Sequence, residues 1–175
     1  MKRSDLEHII RASSAITNEY EFVVIGSQAI LGSDPNPPPE LTVSAEADIY
    51  PLRRPDLNEK IDGAIGEFSE FHTTFGFYAQ GVDPTTATLP HGWEQRLVRV
   101  PDSARDTGVG YCLSVVDLFL SKAVAGRPKD RAFCIALLRH NYLTLEQAVD
   151  MAKRMPEQVN HRQLVATIRR WAGEV

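Results

Sequence analysis

Leu6, Ile9, Ile10 and Ile16 recur at helical spacing behind Ser4-Asp5-Leu6-Glu7, so the chain opens with an amphipathic helix started by a Ser4/Glu7 capping box. The period then changes. Glu21-Phe22-Val23-Val24-Ile25 is a short β-branched run that predicts a buried strand, stopping at Gly26-Ser27. Gln28 to Leu31 predicts one or two helical turns. Asp34-Pro35-Asn36-Pro37-Pro38-Pro39 is a loop, because its prolines fix φ and remove backbone donors. Leu41 to Tyr50 predicts the next strand, ended by Pro51, and Asp56 to Ile65 a helix closed by Gly66. The Phe-, Tyr- and Thr-rich stretch from Phe68 to Val82 predicts more strand, ending at Asp83-Pro84. Leu89-Pro90-His91-Gly92-Trp93 predicts a turn, Arg96 to Val100 an alternating strand, and Pro101 to Gly110 a polar connector.

Beyond Tyr111-Cys112-Leu113 the pattern is helical to the end. Ser114-x-x-Asp117 caps a helix carrying Leu118, Phe119, Lys122 and Ala125 and closing near Gly126. A second helix runs from about Lys129 to Arg139. Thr144-x-x-Gln147 caps a third, stopped by Pro156, and Asn160 starts a fourth that reaches Trp171. Strands alternating with helices, then helices alone, predict an α/β (α+β) core over residues 1–110 with a C-terminal helical portion over 111–175.

Charge adds an asymmetry. The net charge is −4, yet residues 122–175 carry +5 and residues 1–121 carry −9. The acidic total argues against a general nucleic-acid coat, whereas a basic third could meet phosphates. Cys112 and Cys134 have no metal spacing and sit in apolar patterns, as small core residues do. No apolar run reaches the roughly 20 residues of a membrane helix, and no signal-like stretch follows Met1-Lys2-Arg3. The expectation is a cytoplasmic chain with no membrane association.

The chemistry gathers around one pair of acids. Strand residues two apart share a face, so Glu46 and Asp48 project together from Ser44-Ala45-Glu46-Ala47-Asp48-Ile49-Tyr50. Parallel carboxylates on an apolar strand repel and lose hydration, and a divalent cation relieves both costs. Hard oxygen ligands suit Mg²⁺ or Mn²⁺ shared with substrate phosphates. The plainer alternative is a strand whose acids face water. Gly26 and Ser27, between a strand end and a helix mouth, could let an anion approach the backbone and offer it a hydroxyl; a turn glycine and a helix cap would look the same.

Taken together, Val24-Ile25-Gly26-Ser27 and Glu46-Ala47-Asp48-Ile49 resemble the nucleotidyltransferase superfamily of DNA polymerase beta. Ser44 matches the small hydroxyl residue often found before its acid pair. The resemblance implies a mixed sheet flanked by helices, a triphosphate held at Gly26 and Ser27, and Mg²⁺ or Mn²⁺ held by Glu46 and Asp48. Asp117 to Asp130 also resembles the helical segment of small bacterial nucleotidyltransferases, AbiEii-type toxins among them. This adds Lys122, Arg127 and Lys129 to the nucleotide-binding set, with Lys122 beside the acids as a catalytic cation. Leu89 to Leu97 resembles a recurring segment to which no chemistry attaches.

What the resemblance implies is an enzyme that moves an NMP from an NTP to a tRNA, a protein side chain or a small molecule. A toxin role would bring an antitoxin partner. Three features depart from the pattern. The first acid is Glu46 where Asp is commoner. The proline loop lengthens the Ser27–Glu46 spacing, and the third carboxylate expected on a later strand has only Asp83, or less suitably Glu94, as candidate. A protein that keeps the fold as a binding or partner-interaction module without catalysis is the alternative.

Overall fold

The computed structural model describes residues 1–101 and 107–175. Five strands, β1 (Glu21–Ile25), β2 (Glu46–Pro51), β3 (Tyr78–Gly81), β4 (Val98–Pro101) and β5 (Val109–Cys112), form one sheet in the order β3-β2-β1-β5-β4. β1 lies at its centre, antiparallel to β2 and parallel to β5; β3 runs parallel to β2, and β4 antiparallel to β5. The centre is where the most apolar of the five strands belongs, and Phe22 to Ile25 are all buried.

The described residues form the helices α1 (Arg3–Thr17), α2 (Ile30–Ser33), α3 (Asn58–Ile65), α4 (Glu70–Phe75), α5 (Val115–Ala125), α6 (Pro128–Arg139), α7 (Leu145–Ala152) and α8 (His161–Ala172). α1 packs on α3 and against β2 and β5, while α2 packs on β4 and β5 and meets α5. α5 also packs on α6, α7 and α8, and Leu118, Phe119 and Leu120 bury its body in the shared core. The expected α/β architecture with a C-terminal helical run is observed. The division expected at residue 110 falls inside β5.

Several element boundaries differ from the sequence expectation, each for a local reason. α1 begins at Arg3, and Asp5 accepts the Lys2 backbone N–H at 2.7 Å; Glu7 pairs with Arg3 instead of closing a box with Ser4. β2 begins at Glu46 and not Leu41, because Pro39–Leu41 wind a 3₁₀ turn. The aromatic stretch from Phe68 is mostly helical. Ser69 caps α4 through the His72 N–H, Gly76 closes it at φ +76°, and only Tyr78–Gly81 remains strand. Its rings find partners across the fold: Phe71, Phe75 and Phe77 cluster on His8 of α1, so tertiary packing overrides strand propensity. Trp93–Arg96 is a 3₁₀ turn, which delays β4 to Val98. Of the expected 101–110 connector, residues 102–106 lie outside the described residues, and Val109 and Gly110 belong to β5.

The caps predicted at Ser114, Thr144 and Asn160 are all formed, and Gly126 closes α5 at φ +64°. Part of the charge asymmetry is internal complementarity. Glu40 of the proline loop meets Arg139 at 3.3 Å and His140 at 2.5 Å, and the Tyr142 hydroxyl donates to Asp34, tying that loop to the C-terminal helices. Among the described residues, no helix is long and apolar enough to cross a membrane.

Candidate functional site

β1 ends where β2 carries its second acid: Ile25 pairs with Asp48. The chain leaves the sheet through Gly26 at φ 68°, ψ −174°, a conformation for residues without a Cβ. Steric room imposes the same choice. A Cβ on Gly26 would stand 1.8 Å from Asp48 Oδ2, so glycine lets the carboxylate lie against the turn. Ser27 follows at the start of a 3₁₀ turn over Ser27–Ala29. The buried Gln28 ties this turn to β2 by donating its amide to the Ser44 carbonyl at 3.1 Å, and Ser44 Oγ accepts the Glu46 N–H at 3.1 Å.

Glu46 and Asp48 both face a cleft of about 920 Å³, as do Gly26 and Ser27. Burial, the Glu46 charge and a hydrogen bond between the two carboxyls push Asp48 up to about 6, against the weaker opposing pull of Lys122 and Lys129. Glu46 also accepts a hydrogen bond from the Tyr78 hydroxyl at 2.9 Å. Burial, with that bond second, raises the Tyr78 phenol above its usual range.

Lys122, Arg127 and Lys129 line the same cleft, as the sequence expectation placed them. Lys122 and Arg127 share one partner, Asp130, fully buried at the start of α6. The Lys122 ammonium lies 3.2 Å from Asp130 Oδ1, the Arg127 Nε lies 2.6 Å from Oδ2, and the Arg127 backbone N–H closes on Oδ2 at 3.3 Å. Burial pushes the Asp130 carboxyl up, but the Arg127 hydrogen bond and the Lys122 charge together outweigh it and hold the group below the usual carboxylate range. Asp130 is thus both a helix cap and the counter-ion that fixes two cations at the cleft wall. Lys122 also sits 5.2 Å from the centre of the Phe133 ring, whose face further anchors the ammonium.

The two acids weighed as a third carboxylate are placed elsewhere. Asp83 accepts the Thr85 N–H at 2.8 Å and its hydroxyl at 2.5 Å, capping the Pro84–Thr86 turn; these bonds hold it below the usual carboxylate range. Glu94 is exposed in the Trp93–Arg96 turn. The residue registered beside Asp48 on β3 is Gln80, which lines the cleft. Tyr78 and Gln80 escaped the sequence reading because only the register pairs Tyr-x-Gln with Glu-x-Asp. The Leu89–Leu97 segment now has a role: Arg96 reaches the buried Asp117 through Nε at 3.0 Å and Nη2 at 2.7 Å, while Ser114 Oγ donates to the same carboxylate at 2.5 Å. That segment clamps the N-terminus of α5, the helix that carries Lys122.

This arrangement suits one kind of ligand. Two neighbouring carboxylates, one of them tending to retain its proton, offer hard oxygen donors to a divalent cation. The cationic wall opposite offers charge to phosphates, and the glycine turn leaves room for close backbone approach. Neither a curated protein nor a solved structure matches the chain. A family model described as nucleotidyltransferase of unknown function (DUF6036) matches residues 4–171. That span takes in the glycine turn, the acid pair and the Lys122–Asp130 wall, and the chain belongs to this nucleotidyltransferase family.

Proposed function

We propose that the cleft binds an NTP together with Mg²⁺ or Mn²⁺ and transfers the NMP to an acceptor, releasing pyrophosphate. One observation carries the reading: Asp48 lies against the Gly26 turn in a cleft whose other wall is Lys122, Arg127 and Lys129. Glu46 and Asp48 would hold the ion, which when bound neutralises phosphate charge and polarises the α-phosphoryl group. Gly26 and Ser27 present backbone and hydroxyl to the β and γ phosphates. Lys122, held in place by Asp130, supplies positive charge toward the departing pyrophosphate, and Arg127 and Lys129 extend it. Tyr78 orients Glu46 through its hydroxyl.

A tRNA, a protein or a small molecule would serve as acceptor, and the exposed arginines of α8 (Arg162, Arg169, Arg170) would suit RNA. A toxin role with an antitoxin partner rests only on the likeness of the Asp117–Asp130 segment. The test is label transfer from each of the four NTPs to a cell extract, fractionated into RNA, protein and small molecules. Label at the α position should transfer and label at the γ position should not, and Asp48→Asn should abolish transfer. Transfer of γ label, or none from any NTP, would contradict the proposal. A second reading, a binding or partner-interaction module without catalysis, is favoured by one fact: Gln80 and not an acid stands beside Asp48 on β3, and Asp83 is engaged with Thr85.

A further inference from the structure

The register of β2 and β3 sets the row of side chains along the cleft. Parallel partners point to the same face, so Glu46 stands beside Tyr78 and Asp48 beside Gln80. On the other side of Asp48 come the end of β1 and Ser27. At the level of Asp48 the row therefore runs Gln80 amide, Asp48 carboxylate and Ile25, with the Gly26-Ser27 turn just beyond the strand end. At the level of Glu46, its β3 neighbour is a phenol that donates to it. Two metal ions 3.5–4 Å apart need bridging anions that offset their mutual repulsion. Here two carboxylates stand with neutral neighbours, and Asp83 is engaged with Thr85.

We infer that this site holds a single divalent cation, and that Gln80 is the residue that limits it to one. The inference rests on the nucleotidyl-transfer reading of the same cleft. Pyrophosphate leaves toward Ser27 and Lys122, so in-line attack brings the acceptor from the β3 side, where the Gln80 amide can hold its hydroxyl. An amide takes no proton at neutral pH. The acceptor oxygen forms its bond to the α phosphorus, the bond from that phosphorus to the bridging oxygen breaks, pyrophosphate departs with both electrons of that bond, and the acceptor proton passes to water. Gln80 is thus a positioning residue, and its neutrality makes transfer depend on the acceptor's own acidity.

The test counts ions without relying on turnover. Mn²⁺ is titrated into the full chain with each α,β-methylene NTP and followed by electron paramagnetic resonance. Wild type should retain one Mn²⁺ per chain with an uncoupled signal, and Gln80→Ala should do the same. Gln80→Glu should retain two, with the exchange-coupled spectrum of a close pair; Gln80→Asp is the shorter alternative should the glutamate crowd the strand. A coupled pair in wild type would overturn the single-ion inference while leaving nucleotidyl transfer standing. Failure of both acidic variants to gain a second ion would overturn the role of Gln80. A wild type that retains no Mn²⁺ with any nucleotide would overturn the parent reading as well.

Discussion

The Cβ that Gly26 lacks would stand 1.8 Å from Asp48 Oδ2, so the turn and the acid are built against each other. A side chain at Gly26 cannot be added without displacing the acid. Gly26→Ala must move the carboxylate and also place an L side chain at φ 68°. The backbone conformation alone costs about 1–3 kcal/mol. Urea unfolding should show at least that loss, and metal-dependent nucleotide binding should disappear. A variant of wild-type stability that still binds would show that turn and acid are not coupled.

Asp48 makes stability depend on pH in a direction opposite to a salt-bridged acid. Its folded value, about 6, lies above its ordinary 3.8, so the folded chain holds more protons than the unfolded chain between those values. Stability from this group is therefore fully present below about pH 4 and lost as pH rises through 6. The total is on the order of 2–3 kcal/mol. Without metal, wild type should gain stability on going from pH 7 to 5, and Asp48→Asn should flatten that slope and be more stable at pH 7. Asp130, held low, loses its contribution only at more acidic pH, outside this window. An Asp48→Asn variant less stable than wild type at pH 7 would mark Asp48 as part of a structural ion pair.

Asp130 should be the more costly member of its cluster to remove. Replacing it with Ala strands the buried Lys122 ammonium and should cost about 3–5 kcal/mol. Lys122→Met leaves Asp130 with Arg127 still 2.6 Å away, so its cost should be smaller. Chemical denaturation of the two variants checks the order, and equal or reversed losses would show that Asp130 does not organise the wall.

The Arg96–Asp117 clamp yields a separate stability test. Arg96→Ala leaves Asp117, fully buried, with only Ser114 and its own cap, and should cost about 2–4 kcal/mol. Hydrogen exchange should rise first in the opening turn of α5. Loss of protection confined to residues 89–97 would show that the clamp serves its own segment alone.

How much of this was legible in the sequence follows from what each signal depends on. The caps at Ser114, Thr144 and Asn160, and Gly126, act through neighbours a few residues away, and Phe22 to Ile25 mark a buried strand by their apolar run alone; all were readable. So was the Glu46/Asp48 pair, because the strand period alone puts both on one face. The Phe68–Phe77 stretch was misread because His8, more than sixty residues earlier, supplies the ring contacts that stabilise it as a helix and turn. Gln80 and Tyr78 were invisible for a related reason. Their roles exist only through pairing with β2, and nothing in Tyr-Ala-Gln-Gly encodes that register. Asp130 shows the intermediate case: a charge at a helix start is a local feature, whereas its hold on Lys122 requires α5 folded beside α6.

The most direct test of a metal–triphosphate site at Glu46 and Asp48 is the melting temperature of the chain with Mg²⁺, with an α,β-methylene NTP, and with both, repeated on Asp48→Asn. A ligand at 100 times its Kd stabilises by about 2.7 kcal/mol, roughly 5–10 °C for a chain of this size. The predicted result is a rise of that order in wild type only when ion and nucleotide are present together, and none in Asp48→Asn. A shift that needs no nucleotide, no shift with any of the four bases, or an equal shift in Asp48→Asn would contradict the account.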